Sequence, residues 1–141
     1  MSNKILIADD SKSWLAFHIK LIEQLYGKIF DITAVSSAKE ALAAAKAQKQ
    51  SPYALIITDL QMESAYEPLS AGEWLIENIR LMKEYASSNI VIISSMPDIE
   101  LTAKKYKTDC IKKSRLAANK LLMKYAMEKL MPFLDKLEEL K

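Results

Sequence analysis

The chain has 141 residues, half of them hydrophobic, and carries 20 Lys/Arg against 18 Asp/Glu for a net charge of +2. That is about the size of one ordinary domain with a buried core, and a near-neutral overall field gives no reason to expect a nucleic-acid or membrane partner. The lone cysteine, Cys110, excludes an internal disulfide and a cysteine-rich zinc site, and the lone histidine, His18, excludes a histidine-based metal or acid–base cluster.

No apolar stretch reaches the ~18 residues of a membrane span, and Met1-Ser2-Asn3-Lys4 opens no signal-like hydrophobic run, so a soluble, unprocessed, cytoplasmic protein is expected. Charge is uneven: residues 101–141 hold 11 Lys/Arg against 5 Asp/Glu, whereas residues 1–100 hold 9 against 13. The basic end reads as a solvated helical surface rather than a nucleic-acid footprint.

The first apolar run, Ile5-Leu6-Ile7-Ala8, predicts a strand buried on both faces. Leu15, Ile19, Ile22 and Tyr26 then recur at helical spacing. A second strand is predicted at Ile32-Thr33-Ala34-Val35. The capping-box signature Ser37-Ala38-Lys39-Glu40 follows it and opens an alanine-rich helix that Pro52 closes. Ala54-Leu55-Ile56-Ile57 gives the third strand. Ser70-Ala71-Gly72-Glu73 repeats the capping signature ahead of Leu75, Ile79 and Met82, so a third helix begins near residue 71. Ile90-Val91-Ile92-Ile93 is the fourth strand, Asp98 to about Tyr106 a fourth helix, and Cys110-Ile111-Lys112 a short fifth strand. The remainder is rich in good helix formers and predicts a long final helix over about 115–141, kinked or restarted at Pro132. Met123, Met127 and Met131 lie at helical spacing and read as core. Five alternating strand–helix units imply a parallel sheet covered by helices on both faces, in one domain spanning residues 1–141.

Functional groups of an open parallel sheet collect at the carboxyl ends of its strands. Here those ends hold Asp9-Asp10, Asp59, Ser94-Ser95 and Lys112-Lys113. Carboxylates, a hydroxyl and an ammonium thus meet on one edge. Two carboxylates ~4 Å apart at an effective dielectric near 20 repel by about 4 kcal/mol, a conflict that a divalent cation removes.

On these residues the chain resembles, over essentially its whole length, the CheY-like receiver domains of two-component response regulators. The resemblance implies the flavodoxin-like fold, a five-stranded parallel sheet of order 2-1-3-4-5. It implies Mg²⁺ held by Asp9, Asp10, Asp59 and the backbone carbonyl of Gln61, with Asp59 as phosphoacceptor and Ser94 and Lys113 gripping the phosphoryl group. Lys113 is preferred to Lys112 because it leaves Ile111 as the buried strand residue. A sensor histidine kinase or phosphotransfer protein would be the phosphodonor, and a downstream protein the target, bound on the surface from Asp98 to the last helix. Homodimerisation is compatible with such a module. Beyond self-catalysed phosphoryl transfer and autodephosphorylation, no enzyme activity is implied.

Some features depart from that pattern. From Asp59 to Gly72 is thirteen residues, leaving the loop of residues 63–70 roughly five residues longer than the resemblance implies. That loop reads as a lid, a partner surface or a tolerated insertion, with Glu63 and Glu67 able to repel the donor or reach the metal. Cys110 stands where receivers commonly carry a switching aromatic, Ser114 where they have Pro, and Tyr106 where Gly precedes the fifth strand. Trp14 and Trp74 read as packing or surface residues. The alternative function is a pseudo-receiver that binds protein without phosphorylation. A flavodoxin would need a glycine in the phosphate loop at Asp10-Ser11-Lys12-Ser13-Trp14, and a haloacid-dehalogenase-like phosphatase an Asp-x-Asp motif after the first strand; both are missing.

Overall fold

A computed structural model of the chain describes residues 2–63, 69–134 and 139. Five parallel strands, β1 (Lys4–Ala8), β2 (Asp31–Val35), β3 (Leu55–Thr58), β4 (Asn89–Ser94) and β5 (Asp109–Lys112), form one sheet in the order β2-β1-β3-β4-β5. The expected flavodoxin-like topology is therefore present. The helices are α1 (Lys12–Tyr26), α2 (Ala38–Ala47), α3 (Ala71–Arg80), α4 (Ile99–Tyr106), α5 (Lys113–Ala118) and α6 (Leu121–Leu130), with a 3₁₀ turn at Lys83–Tyr85.

The apolar runs of β1, β3 and β4 form strands because both of their faces are covered, whereas β2, also expected to be buried, lies at the sheet edge and has no buried residue. Leu6, Ala8, Ile56, Ile90 and Ile92 enter a core closed by α2, α3 and α4. Their neighbours Ile5, Ile7, Leu55, Ile57, Val91 and Ile93 enter a second core closed by α1, α5 and α6. Each fully buried Ile or Leu of this kind contributes about 1.5–3 kcal/mol over its exposed state, which is what turns an alternating chain into a two-sided sheet.

Local signals set the starts of α1, α2 and α3. Ser11 caps α1 by accepting the Trp14 N–H, and Gly27, with φ of 73°, ends it with its amide donating to Glu23 O at 2.8 Å. At α3 the capping box is complete: Ser70 Oγ accepts the Glu73 N–H and Glu73 Oε2 accepts the Ser70 N–H, each at 3.3 Å. At α2 only half of it forms as expected. Ser37 Oγ accepts the Glu40 N–H at 3.0 Å, but the Glu40 carboxylate takes the amide of Ser36, one residue earlier.

The long helix expected over about 115–141, kinked or restarted at Pro132, is corrected over its described residues. Helical structure begins at Lys113, breaks at Asn119 and resumes at Leu121. Asn119 is extended (φ −142°, ψ 94°), and its Oδ1 accepts the Leu121 N–H at 3.1 Å, a local bond that competes with helix continuation. The second piece stops at Leu130. Met131 is driven out of the helical region because Pro132 follows, and the Leu130 carbonyl is taken by Asn89 Nδ2 at 2.8 Å. Residues 135–138, 140 and 141 of the expected helix lie outside the described residues. Met123, Met127 and Met131 are fully buried, as their spacing implied.

Among the described residues, no helix is long and apolar enough to cross a membrane.

Candidate functional site

The two central strands set the site. β1 and β3 pair in register through Ala8 opposite Thr58, and the ladder continues one residue further, with the Asp59 N–H donating to Ala8 O at 3.0 Å. Asp9 and Asp59 therefore leave the sheet side by side. Both follow a residue of the α2-facing layer, so the alternation of the pleat turns them toward α1 and α5.

Lys113 reaches the same place from the first turn of α5. Its Nζ donates to Asp59 Oδ2 at 2.7 Å and pairs with Asp9 Oδ2 at 2.9 Å. β4 lies between β3 and β5, so a long side chain is required to span its end. Asp9, Asp59 and Lys113 are each at least nine-tenths buried. Lys112 turns the other way, 3.8 Å from Glu100 on the surface, so of the two candidate lysines it is Lys113 that meets the carboxylates.

The remaining carboxylate oxygens are held by backbone amides. Asp9 Oδ1 accepts the Ser11 N–H at 2.9 Å, and Asp59 Oδ1 accepts those of Leu60 at 2.7 Å and Gln61 at 3.4 Å. Burial pushes the Asp9 carboxyl above its ordinary range, opposed by Lys113 and the Ser11 amide and reinforced by the Asp59 charge. Burial alone would lower the Lys113 ammonium, but its bonds to Asp59 and Asp9 outweigh that and raise it, so it stays protonated.

Asp10 is exposed, yet Asp9, Asp10 and Asp59 can each bring a carboxylate oxygen within 4.8 Å of the others. An all-oxygen donor set with one exposed member fits Mg²⁺, which takes few protein carboxylates and keeps waters. Beside it an open cleft of about 410 Å³ is lined by Asp10, Gln61, Glu63, Ser70 and Met96, among others, and gives access to the cluster. Ser94 ends β4 fully buried, its Oγ accepting the Met96 N–H at 3.3 Å, whereas Ser95 is exposed.

Gly72 seats α3 against the Asp59 segment. The first turn of α3 presses on the backbone of the Asp59 segment, with the Gly72 N–H donating to Leu60 O at 2.9 Å. A Cβ at this position would collide with the Asp59 carbonyl oxygen and lie 2.6 Å from Leu60 Cα. Only glycine lets the helix seat there.

Glu63 lines the cleft and also holds the start of α2. Its carboxylate accepts the Ala38 N–H at 2.8 Å and the Lys39 N–H at 3.2 Å, capping α2 from across the loop. Glu67 lies outside the described residues. Cys110 is half-buried against the α2-facing core together with Tyr106, whose hydroxyl donates to Glu77 Oε2 at 3.0 Å. Two further residues were not legible as site neighbours. Trp14 lies beneath the Lys113 ammonium, and His18 is buried beside Trp14 with its Nδ1 unpaired.

The fold is that of CheY-like response regulator receiver domains. The chain is similar to the chemotaxis response regulator CheY4 of Vibrio cholerae, at 19% identity and a TM-score of 0.65 over 97% of this chain and 99% of that one. It is also similar to a CheY-like receiver domain from Methylobacillus flagellatus, at 22% identity and a TM-score of 0.62 over 80% and 87%. A third similar structure is the isolated receiver domain of RcsB from Salmonella enterica serovar Typhimurium in the presence of phosphomimetic BeF3−, at 18% identity and a TM-score of 0.60 over 81% and 79%. No protein-family model and no curated protein matches the sequence.

Proposed function

We propose that the chain is a phosphoacceptor receiver domain of a two-component or phosphorelay system, with Asp59 as the residue that takes the phosphoryl group. The observation that carries this reading is the buried Lys113 ammonium spanning Asp59 and Asp9 at the carboxyl edge of a receiver-type sheet, beside the exposed Asp10.

Phosphoryl transfer is mostly a matter of in-line placement and charge neutralisation. A bond forms between an Asp59 carboxylate oxygen and phosphorus while the donor's P–N or P–O bond breaks. The amides of Leu60 and Gln61 and the Lys113 ammonium orient the Asp59 carboxylate before the donor arrives. Asp9, Asp10, Asp59 and the Gln61 carbonyl would hold Mg²⁺, which when bound supplies neutralisation of the phosphoryl oxygens. Ser94 uses its oxygen for the Met96 amide and keeps its O–H to donate to the added dianion, and Lys113 pairs with the same charge. Drawing Ser94 toward Asp59 would shift the end of β4 and the surface from Asp98 onward, where a target protein would read the change. A cytoplasmic histidine kinase or phosphotransfer protein is the natural donor. The chain acts as one module over residues 1–141, as a signalling protein rather than an enzyme.

The test is intact-mass measurement after incubation with phosphoramidate or acetyl phosphate, with and without Mg²⁺, on the wild type and on Asp59→Asn. One Mg²⁺-dependent adduct, missing in the variant, is the expected result. A folded wild type that takes no adduct from either donor would overturn the reading in favour of a pseudo-receiver.

A further inference from the structure

Trp14 stands in the first turn of α1, where helical side chains lean back toward the amino end, here the carboxyl edge of the sheet. The Lys113 Nζ lies 5.1 Å from the centroid of its indole ring. The indole packs against the second core, and Phe17 and His18 brace it, with ring centroids at 5.0 and 5.5 Å. A cation over an indole face is held most strongly where water is kept away.

The contacts around this ring close a circuit. Asp9 Oδ1 accepts the Ser11 N–H, and Ser11 Oγ accepts the Trp14 N–H at 3.3 Å. The Trp14 ring meets the Lys113 ammonium, which returns to Asp9 Oδ2 and to Asp59 Oδ2. Ser11 thus fixes the height of the indole relative to Asp9, and the indole limits where a flexible four-carbon stem can place its charge. Carboxylates alone would let the ammonium settle anywhere around their oxygens.

We propose that Trp14 is a positioning residue for Lys113, its aromatic face holding the ammonium where it meets a phosphoryl group on Asp59. This rests on the phosphoacceptor reading and deepens it. An aromatic ring is the requirement, so phenylalanine should serve in part and an aliphatic residue of similar bulk should not.

The first arm of the test needs no phosphorylation. In the wild type the Lys113 Hε protons should resonate well upfield of the other lysines through the indole ring current. The shift should shrink in Trp14→Phe and vanish in Trp14→Leu. The second arm is the Mg²⁺-dependent rate of phosphorylation by phosphoramidate. Trp14→Phe should stay within about threefold of wild type, while Trp14→Leu should fall about tenfold with donor half-saturation unchanged. Lys113 Hε protons at ordinary positions in the wild type, or equal rates for wild type and Trp14→Leu, would overturn the role of Trp14. Should Trp14→Leu not fold, the wild-type ring-current shift and Trp14→Phe decide. No adduct on the wild type would overturn the phosphoacceptor reading itself, while the ring-current arm would still report whether Trp14 holds Lys113.

Discussion

Lys113 Nζ donates to Asp59 Oδ2 at 2.7 Å, joining residues 54 apart in sequence across the end of an intervening strand. The same ammonium lies 2.9 Å from Asp9 Oδ2, so one positive charge is shared by two buried negative ones.

Removing that charge leaves Asp9 and Asp59 facing each other without a counterion. Lys113→Ala should therefore lose about 3 kcal/mol of stability in urea unfolding at pH 7.5, the usual scale for breaking a buried pair from one side. Adding Asp9→Asn should restore a large part of the loss, because it removes one of the two orphaned charges. A single variant as stable as wild type would show that solvent or protonation relieves the pair more cheaply than the geometry implies.

Gly72→Ala is expected to destabilise by at least about 1–3 kcal/mol, since the atoms its methyl would meet belong to backbone and cannot swing aside. The strain should also appear as displaced amide resonances at Leu60 and Gln61, whose N–H groups hold Asp59 Oδ1. Undisturbed amides with wild-type stability would count against the close approach of α3.

His18 is 1% exposed, and burial, helped by the Lys113 charge, lowers its imidazole from 6.5 to about 4. Between those values the unfolded chain binds a proton that the folded chain does not, so this group favours unfolding increasingly as pH falls from 6.5 to 4. The wild type should lose roughly 2–3 kcal/mol more stability than His18→Leu between pH 7.5 and pH 4.5. Parallel pH profiles for the two proteins, or an imidazole that titrates near 6.5 by NMR, would contradict the buried neutral ring.

Glu63→Ala removes the carboxylate that accepts the Ala38 and Lys39 amides and leaves Ser37 Oγ on the Glu40 amide. A loss of about 1 kcal/mol is expected, the scale of a helix cap with a favourable dipole term, with faster hydrogen exchange at the Ala38 and Lys39 amides. Unchanged protection at those two amides would mean that the loop residue does not hold the helix in solution.

Sequence alone determined what depends on near neighbours and on the periodicity of the chain. The apolar runs at Ile5, Ile32, Leu55 and Ile90 mark strands, Ser70 and Glu73 fix a helix start between themselves, and strand ends place Asp9, Asp10, Asp59 and Ser94 on one edge. Tertiary structure decided what depends on contacts between residues far apart in the chain. That Lys113 spans both Asp9 and Asp59 while Lys112 faces Glu100 follows from the change of course at the end of β5, where Lys112 closes the strand and Lys113 opens α5. Trp14 beneath Lys113, Glu63 on α2 and Gly72 against Asp59 join segments that no local pattern connects. His18, in sequence only the lone histidine, is part of the core because α1 docks on the sheet. The break at Asn119 escaped detection because its neighbours are all strong helix formers, and a single side-chain bond to Leu121 was enough to override them.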